Sequence, residues 1–451
     1  MDAPAYFRSK RITVMGLGLL GRGVGDAAYL AENGAELIVT DLKTRELLAE
    51  SVARLEAFSN ITFVLGEHRL EDFRERDLIL KAAGVPLDSP YIAEAKAHNI
   101  PVRMSADLFM ELSGIEAIGV TGTRGKSTVT HMIAAILEAT GKKVLVGGNV
   151  RGVSTLALLP EVPEVTPDHV AVLELDSWQC QGLGEARRSP HIAVFTTFYP
   201  DHLNYYKGDL DAYLDDKANI FRAQNQDDVL VLGSQAAELV KRTYSGGILS
   251  RLEVVGAEGL PSDWKLKVLG EHNRYNGALA LAAARAYGIK DDVSKQALEN
   301  FTGVPGRLEY LGEVKGVKVY NDNNSTTPEA TLAALRAVGT PEERHVVLIM
   351  GGDEKNLDMS ALVAELPKWC KAVVLFKERG TSRIRDDMFA LMNNAFSVHE
   401  EEGLEATVAR AWLFCKPGDT LLYSPAFSSF GKYFKNEYDR GDQFNALAKA
   451  L

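Results

Sequence analysis

Short apolar runs rich in β-branched residues alternate along the chain with longer segments whose apolar residues recur every three to four positions. The first run, at 11–15, is followed by the glycine-rich turn Gly16-Leu-Gly-Leu-Leu-Gly21, a helical segment from Asp26 and a second run at 36–40. Short apolar runs predict strands, and the longer periodicity predicts helices. This order therefore predicts a βαβ unit with parallel strands.

The alternation continues through the rest of the chain. Further strands are predicted at 78–80, 100–102, 115–120, 143–146, 169–175, 191–197, 229–233, 317–320, 345–350, 372–376 and 420–423, with an Ala-rich helix at 271–288. The nearly continuous apolar character of the central runs is typical of a parallel sheet covered on both faces. We predict an α/β fold of three domains: a Rossmann-like N-terminal domain (1–113), a central domain with a mainly parallel sheet (114–300) and a Rossmann-like C-terminal domain (301–451).

Composition narrows the class of protein. The chain has 451 residues, of which 46% are hydrophobic and 25% charged, and this balance is typical of a folded domain protein. Its formal net charge of −11 disfavours nucleic-acid binding over a large face. Three scattered cysteines give no disulfide framework, and no apolar run approaches membrane-spanning length. We expect a cytoplasmic, monomeric protein without nucleic-acid or membrane partners.

One segment carries a specific chemical signal. Thr121-Gly-Thr-Arg-Gly-Lys-Ser-Thr128 lies between a buried-looking strand and an amphipathic helix, which is the context of a phosphate loop. Its glycines allow backbone N–H groups to approach phosphate oxygens, Lys126 can bridge the outer phosphates, and Ser127 or Thr128 can bind Mg²⁺. Val120 stands where the general pattern has glycine. The central domain is therefore predicted to be a P-loop ATPase domain.

This variant loop resembles that of the Mur ligase family, which also includes folylpolyglutamate synthases. The other motifs that match in order are Glu174 in Leu-Glu-Leu-Asp-Ser, His202 in Asp-His-Leu, Lys217, Gly270-Glu-His-Asn-Arg-Tyr-Asn276, Gly306-Arg307 and Asn321-Asp322. The resemblance covers nearly the whole chain. It implies an ATP-dependent ligase that forms an amide bond through an acyl phosphate, acting on a UDP-linked muramoyl peptide in peptidoglycan synthesis.

Features in each of the three domains narrow the resemblance further. The glycine-rich N-terminal turn with Asp41, the Gly147-Gly-Asn149 segment and the C-terminal Ser424-Pro-Ala-Phe-Ser-Ser429 segment resemble the family members that add D-glutamate to UDP-N-acetylmuramoyl-L-alanine. Three positions, Asn324, Phe427 and Glu437, depart from the common pattern of those members. The resemblance therefore implies D-glutamate as the amino acid, with a different amino acid as the alternative that these departures raise.

The resemblance implies a role for each matching residue. The implied catalytic residues are Lys126, Glu174, His202 and Lys217, and the implied Mg²⁺ ligands are Ser127, Glu174, His202 and Lys217, the lysine as its carbamate. The implied ATP contacts are Gly122, Thr123, Arg124, Gly125, Lys126, Ser127, Thr128, Asn273, Asn276, Arg307 and Asp322. The implied contacts to the UDP-linked substrate are Gly18, Leu19, Leu20, Asp41 and Asn149, and those to the amino acid are Thr326, Lys355 and Ser429.

Three alternatives stay open. The first is a related ligase with another amino acid or acceptor, such as a folate-type substrate. The second is an NAD-dependent oxidoreductase, because the glycine turn at 16–21 with Asp41 also fits a dinucleotide fingerprint. The third is a module that binds nucleotide without catalysis. The oxidoreductase leaves the loop at Lys126 unexplained, and the non-catalytic module leaves Glu174, His202 and Lys217 unexplained.

Overall fold

The computed structural model describes residues 3–19, 21–162, 168–341, 343–429 and 432–451. It divides into two compact units, Met1–Trp264 with Tyr275–Leu298, and Lys265–Arg274 with Glu299–Leu451. The described residues form three sheets, two in the first unit and one in the second. The predicted α/β fold is confirmed, whereas the exact domain boundaries stay predictions.

The N-terminal sheet has the strand order β3-β2-β1-β4-β5, and all its pairs are parallel. Its strands are β1 (Arg11–Met15), β2 (Glu36–Asp41), β3 (Ile61–Leu65), β4 (Leu78–Lys81) and β5 (Val102–Arg103), and its helices are α1 (Ala3–Phe7), α2 (Arg22–Glu32), α3 (Ala49–Ala53), α4 (Pro90–Ala97) and α5 (Ser105–Ser113). The strand order reverses at β1. The glycine-rich turn that follows β1 therefore lies at a topological switch point, where open α/β sheets bind ligands.

The central sheet has the order β11-β10-β9-β6-β8-β7 and is also parallel. Its strands are β6 (Glu116–Thr121), β7 (Lys143–Gly148), β8 (His169–Glu174), β9 (Ile192–Phe195), β10 (Val229–Gly233) and β11 (Arg251–Val255), and the accompanying helices are α6 (Lys126–Glu138), α7 (Ser177–Ala186), α8 (Leu210–Arg222), α9 (Ser234–Thr243), α10 (Glu271–Ala286) and α11 (Asp291–Asn300). The phosphate loop joins β6 to α6 between the ends of β8 and β9.

The C-terminal sheet has the order β12-β13-β17-β14-β15-β16, with β12 antiparallel to β13 and the other pairs parallel. Its strands are β12 (Glu309–Val314), β13 (Val317–Asn321), β14 (Val346–Met350), β15 (Cys370–Phe376), β16 (Ser397–Glu401) and β17 (Thr420–Tyr423), and its helices are α12 (Pro328–Val338), α13 (Ser360–Trp369), α14 (Arg379–Ala390), α15 (Leu404–Trp412) and α16 (Glu437–Lys449). Fully buried central strands explain why their sequences are continuously apolar.

Helix α2 connects the two parallel sheets of the first unit. The Ser154 hydroxyl donates to the Asp26 carboxylate over 2.6 Å, and a Cβ added to Gly25 would lie 2.6 Å from the Ser154 Cβ. Glycine is therefore needed on this face of the helix. Burial raises the pKa of Asp26 to about 6, against the hydrogen bond from Ser154, which lowers it.

Several element boundaries differ from the predictions. Helix α2 begins at Arg22 rather than Asp26, because Gly21 takes a left-handed conformation directly before it (φ +82°). The strand predicted at 100–102 forms only at Val102–Arg103. The strands β3, β11, β12 and β16 were not predicted, and each includes half-buried or exposed positions that interrupt an apolar run. Among the described residues, no helix has the length and apolar character needed to cross a membrane.

Candidate functional site

The phosphate loop has a backbone shape that only glycine permits at two positions. Gly122 and Gly125 have φ values of +135° and +88°. A Cβ on Gly122 would lie 2.1 Å from the Thr196 hydroxyl oxygen and 2.8 Å from the Thr197 backbone nitrogen. A Cβ on Gly125 would lie 2.5 Å from the Asn276 side-chain oxygen. The loop therefore passes too close to its neighbours for any side chain at these positions.

Residues following β9 hold the loop in place. The Thr123 N–H donates to the Thr197 carbonyl (2.7 Å), and the Arg124 N–H donates to the Thr197 hydroxyl (2.9 Å). The Thr196 hydroxyl donates to the Arg124 carbonyl (2.5 Å). These bonds fix the loop through the protein's own contacts, so that a phosphate group would meet a preorganised backbone.

Two lysines converge on one carbonyl of this loop. The ammonium groups of Lys126 and Lys217 both donate to the Gly122 carbonyl, over 3.1 Å and 2.8 Å. Lys217 is only 1% exposed, and burial lowers its pKa. Its ammonium also lies 4.8 Å from the centre of the Tyr213 ring. Helix α8 therefore delivers the predicted Lys217 directly to the phosphate loop.

The predicted His202 lies among aromatic rings beside the loop. Its ring centre is 4.7 Å from that of Trp178 and 6.0 Å from that of Tyr213. Its backbone is left-handed (φ +53°), a conformation that costs a non-glycine residue about 1–2 kcal/mol. The preceding Asp201 binds Arg124 of the loop (3.1 Å). Of the two residues of the Asp-His motif, Asp201 is the one that contacts the phosphate loop.

Glu174 ends β8 and is connected through Asn149 to helix α2 of the N-terminal domain. The Asn149 backbone N–H donates to the Glu174 carbonyl (2.7 Å), and its side-chain amide lies 3.4 Å from a Glu174 carboxylate oxygen. The Arg22 guanidinium at the start of α2 donates to the Asn149 side-chain oxygen. Sequence reasoning did not select Arg22, because an arginine at a helix start gives no signal until the fold brings it to Asn149.

The side chains predicted to bind Mg²⁺ do not by themselves form a complete metal site in the described structure. Ser127 and Thr128 are buried in the first turn of α6, and Glu174 is buried at the end of β8. Across the part of the chain that the structure describes, no three His, Cys, Asp or Glu side chains cluster in a way that could hold a metal ion. Hard oxygen donors such as hydroxyl and carboxylate suit Mg²⁺, which commonly takes substrate phosphates as its further ligands.

A cavity of about 660 Å³ opens beside the glycine-rich turn after β1, and its lining includes Gly18, Leu19 and Asp41. The Asp41 carboxylate accepts hydrogen bonds from the backbone N–H groups of Leu17 (2.9 Å) and Gly18 (3.0 Å). The predicted Gly18, Leu19 and Asp41 are therefore brought together at one cavity. The predicted Leu20 lies outside the described residues.

The second unit contains the remaining predicted nucleotide residues. Asp322 is buried and accepts hydrogen bonds from the Leu308 N–H (3.0 Å) and the Ser424 hydroxyl (2.8 Å). Burial raises its pKa to about 6, although nearby Arg307 and these hydrogen bonds oppose the shift. The Asn273 side-chain amide donates to the Leu269 carbonyl (2.7 Å). Nucleotide contact by Arg307, Asp322 and Asn273 stays a prediction.

Two of the predicted amino-acid contacts meet in the second unit. The Lys355 ammonium donates to the Thr326 hydroxyl over 3.0 Å, and Ser429 is buried. Phe427, which departs from the common pattern, packs its side chain into the core, and its carbonyl accepts from buried Arg440 (3.1 Å). The side chain of Glu437 lies outside the described part of the structure.

The fold and the phosphate loop define a nucleotide-binding α/β protein, and comparisons with known proteins identify its family. Residues 10–104 match the Mur ligase MurD-like N-terminal domain, residues 120–248 the Mur ligase middle domain, and residues 306–427 the Mur ligase glutamate ligase domain. The chain is 34% identical to the UDP-N-acetylmuramoylalanine--D-glutamate ligase of Roseiflexus sp. (strain RS-1), over 98% of this chain and 99% of that protein. The chain belongs to the Mur ligase family.

Solved structures give the same fold. The UDP-N-acetylmuramate-alanine ligase of Thermotoga maritima superposes with a TM-score of 0.61 at 19% identity, covering 98% of this chain and 99% of that one. The MurF ligase of the same organism, solved in complex with ADP, superposes with a TM-score of 0.60 at 16% identity, covering 100% and 98%.

Proposed function

We propose that the protein is an ATP-dependent ligase that adds D-glutamate to UDP-N-acetylmuramoyl-L-alanine in peptidoglycan synthesis. The observation that carries this proposal is the convergence of Lys126 and Lys217 on the Gly122 carbonyl of a loop shaped for phosphate. The full-length similarity to a ligase named for the same reaction supports it. The glycine-lined cavity of the first unit would hold the UDP-linked substrate through Gly18, Leu19 and Asp41, and Leu20 and Asn149 stay predicted contacts to the same substrate.

The chemical difficulty of this reaction is charge repulsion. A substrate carboxylate oxygen must bond to the γ-phosphorus of ATP, displacing ADP and giving an acyl phosphate. The amine of the amino acid then attacks the acyl carbon, and phosphate leaves. Lys126 and the loop N–H groups would reduce the repulsion at the γ-phosphate. Ser127 would hold one Mg²⁺ at the phosphates, and Glu174 and His202 would hold a second on the substrate side. These ions would supply positive charge that further reduces the repulsion.

The loop suits the phosphates of a nucleotide, because glycines at 122 and 125 leave its backbone N–H groups uncovered by side chains. The ATP contacts in the first unit would come from Gly122, Thr123, Arg124, Gly125, Lys126, Ser127, Thr128 and Asn276. For Asn273, Arg307 and Asp322, which belong to the second unit, ATP contact stays a prediction. The hydrogen bond between Lys355 and Thr326 supports an anion-binding pair for the amino-acid carboxylates, with Ser429 beside it. Because Phe427 faces the core, its departure from the pattern does not remove this pair.

Lys217 is proposed to react with CO₂ and become a carbamate. Its amine is buried, and burial lowers its pKa, so that more of it is neutral and nucleophilic at neutral pH. A carbamate would add a second anionic oxygen ligand beside the Glu174 carboxylate and the His202 imidazole. A ¹³C NMR spectrum recorded with ¹³C-bicarbonate should show a carbamate resonance in the wild type that is missing in Lys217→Met. The same spectrum for both variants would remove the carbamate from the proposal.

An ADP-release assay with a panel of D- and L-amino acids tests the substrate assignment. We expect ADP release with UDP-N-acetylmuramoyl-L-alanine to need D-glutamate, and the product mass to increase by one glutamyl residue. Release with a different amino acid would retain the ligase and overturn the D-glutamate assignment. No release with any combination of acceptor and amine would overturn the ligase itself.

A further inference from the structure

Lys81 is a buried lysine that neither the phosphate loop nor the predicted substrate contacts account for. It ends β4 in the N-terminal sheet, lines the 660 Å³ cavity and is only 3% exposed. Burial lowers its pKa to about 8, against nearby Asp176 and Asp216, which raise it. Burying an ammonium group is costly, so this position needs a reason to retain lysine.

The Lys81 ammonium connects a wall of the cavity to helix α7, which accompanies the central sheet. It donates to the carbonyls of Val85 (2.8 Å) and Ala82 (3.3 Å) in the turn after β4, and it lies 3.5 Å from the side-chain oxygen of Gln181 on α7. All three acceptors are neutral carbonyl oxygens, and they match the three donors of an ammonium group. The lysine thus holds the turn after β4 against Gln181 of α7.

The turn that Lys81 holds is packed against the glycine-rich turn. A Cβ on Gly16 would lie 2.9 Å from the Ala82 Cβ, and Ala82 and Val85 line the cavity together with residues 16–19. A shift of this turn would therefore change the surface that the diphosphate side of the substrate meets.

Gln181 extends the connection toward the phosphate loop. Its side-chain amide donates to the Asp216 carboxylate (2.7 Å) and to the Tyr205 hydroxyl (3.2 Å), and the Tyr206 hydroxyl donates to the same carboxylate (2.8 Å). Asp216 directly precedes Lys217 on α8. Hydrogen bonds therefore connect the cavity wall through Gln181 to Asp216, and the peptide backbone connects Asp216 to Lys217 at the phosphate loop.

We propose that Lys81 is a positioning residue that, with Gln181, holds the cavity wall in the shape that binds the UDP-linked substrate. This inference rests on the proposed function, since the substrate of the cavity is taken from it. Lys81 acts through the turn and through Gln181, and no proton transfer is assigned to it.

Lys81→Met tests the inference, because methionine fills similar space without the donors. We expect the KM for UDP-N-acetylmuramoyl-L-alanine to rise about tenfold, the loss expected for bonds from a charged donor, while kcat and the KM for ATP change less than twofold. Lys96→Met is the matched control, because Lys96 also bonds to α7 (Glu185, 2.9 Å) but at an exposed surface. We expect it to retain wild-type constants.

Gln181→Met and the double variant test the connection and guard against misfolding of one variant. We expect Gln181→Met to raise the same KM, and the double variant to exceed the larger single effect by no more than about twofold, since coupled residues are non-additive. The inference would be overturned if the effects of the two single variants multiply in the double variant. It would also be overturned if the KM for the UDP-linked substrate is unchanged, or if the KM for ATP rises by the same factor. If the wild type forms no product, the proposed function fails instead, and calorimetric titration of UDP into the wild type and Lys81→Met still decides the inference.

Discussion

The Asp41 side chain stabilises the glycine-rich turn by accepting hydrogen bonds from its backbone. The resemblance to the family implies that Asp41 contacts the UDP-linked substrate. In the structure, one of its carboxylate oxygens accepts from both Leu17 and Gly18, and the other accepts from the Lys43 N–H. Asp41 therefore braces the glycine-rich turn, and its effect on the substrate would be exerted largely through the backbone.

Replacing Asp41 by asparagine tests this bracing role. Asparagine is neutral and offers only one acceptor oxygen, so the N–H groups of Leu17 and Gly18 lose a charged partner even if both still bond to that oxygen, at a cost of about 1.5–3 kcal/mol. We expect UDP affinity, measured by calorimetry, to fall at least about tenfold. Asp77→Asn is the control, because Asp77 accepts from the Arg11 N–H at the opposite end of β1. Equal losses in the two variants would contradict a local role at the cavity.

Lys217 can be tested at the same scale. Lys217→Met removes the nitrogen that is proposed to become the carbamate while preserving an apolar stem in the buried site. We expect ligase activity to fall by at least about 100-fold, comparable to the loss of one preorganised electrostatic group. Lys207→Met, at an exposed position, should retain full activity. Comparable activity in the two variants would exclude a catalytic role for Lys217.

Among the elements, the segment from β6 through the phosphate loop to α6 carries the central chemistry. Its shape depends on Gly122, where a Cβ would overlap the Thr196 hydroxyl and the Thr197 backbone. Gly141, after α6, also has a positive φ (+83°) but no atoms within 4 Å of an added Cβ. Substituting alanine at Gly122 adds both backbone strain and a steric overlap, whereas alanine at Gly141 adds backbone strain alone. Comparing the two variants therefore measures the effect of the overlap.

Gly122→Ala is expected to weaken ATP binding strongly. Relieving the overlap must displace the loop, and strain of about 1–3 kcal/mol corresponds to a loss of roughly tenfold or more. Gly141→Ala, which carries the strain without the overlap, should bind ATP as the wild type does. Calorimetric titration of ATP with Mg²⁺ compares them, and unchanged affinity in Gly122→Ala would refute the close-packed loop.

The sequence was sufficient for the elements that have strong local signals. Strands β1, β10 and β17 begin and end where the apolar runs predict, and the phosphate loop joins a strand to a helix as expected. Edge strands such as β3 and β16 were missed because partial exposure breaks their pattern. Arg22 and Lys81 were missed for a different reason: their partners, Asn149 and Gln181, are at least 100 residues away along the chain, and no local pattern reports such a contact.

For the molecule as a whole, buried carboxyl groups connect stability to pH. Burial raises the pKa of Asp26 and Asp107 in the first unit, and of Asp322 in the second, to about 6 from 3.8. Between pH 4 and 6 each group binds a proton in the folded state that it releases on unfolding. Each therefore favours folding at low pH, and its contribution is lost as the pH rises through about 6.

Asp26→Asn isolates one of these contributions. Asparagine does not titrate, so the wild type should become less stable relative to the variant as the pH rises from 4.5 to 7.5. Two pKa units correspond to at most about 3 kcal/mol in the relative free energy of unfolding. Denaturant unfolding of both proteins across this range measures the difference. A constant difference, or one that changes in the opposite direction, would contradict the raised pKa.

The central claim is that the loop around Lys126 presents the γ-phosphate of ATP to a substrate carboxylate. The most direct measurement uses UDP-N-acetylmuramoyl-L-alanine labelled with ¹⁸O in both carboxylate oxygens, together with ATP, Mg²⁺ and D-glutamate. Transfer through an acyl phosphate predicts one ¹⁸O atom in each released phosphate and one in each new amide. ADP and product accompanied by unlabelled phosphate would contradict the account.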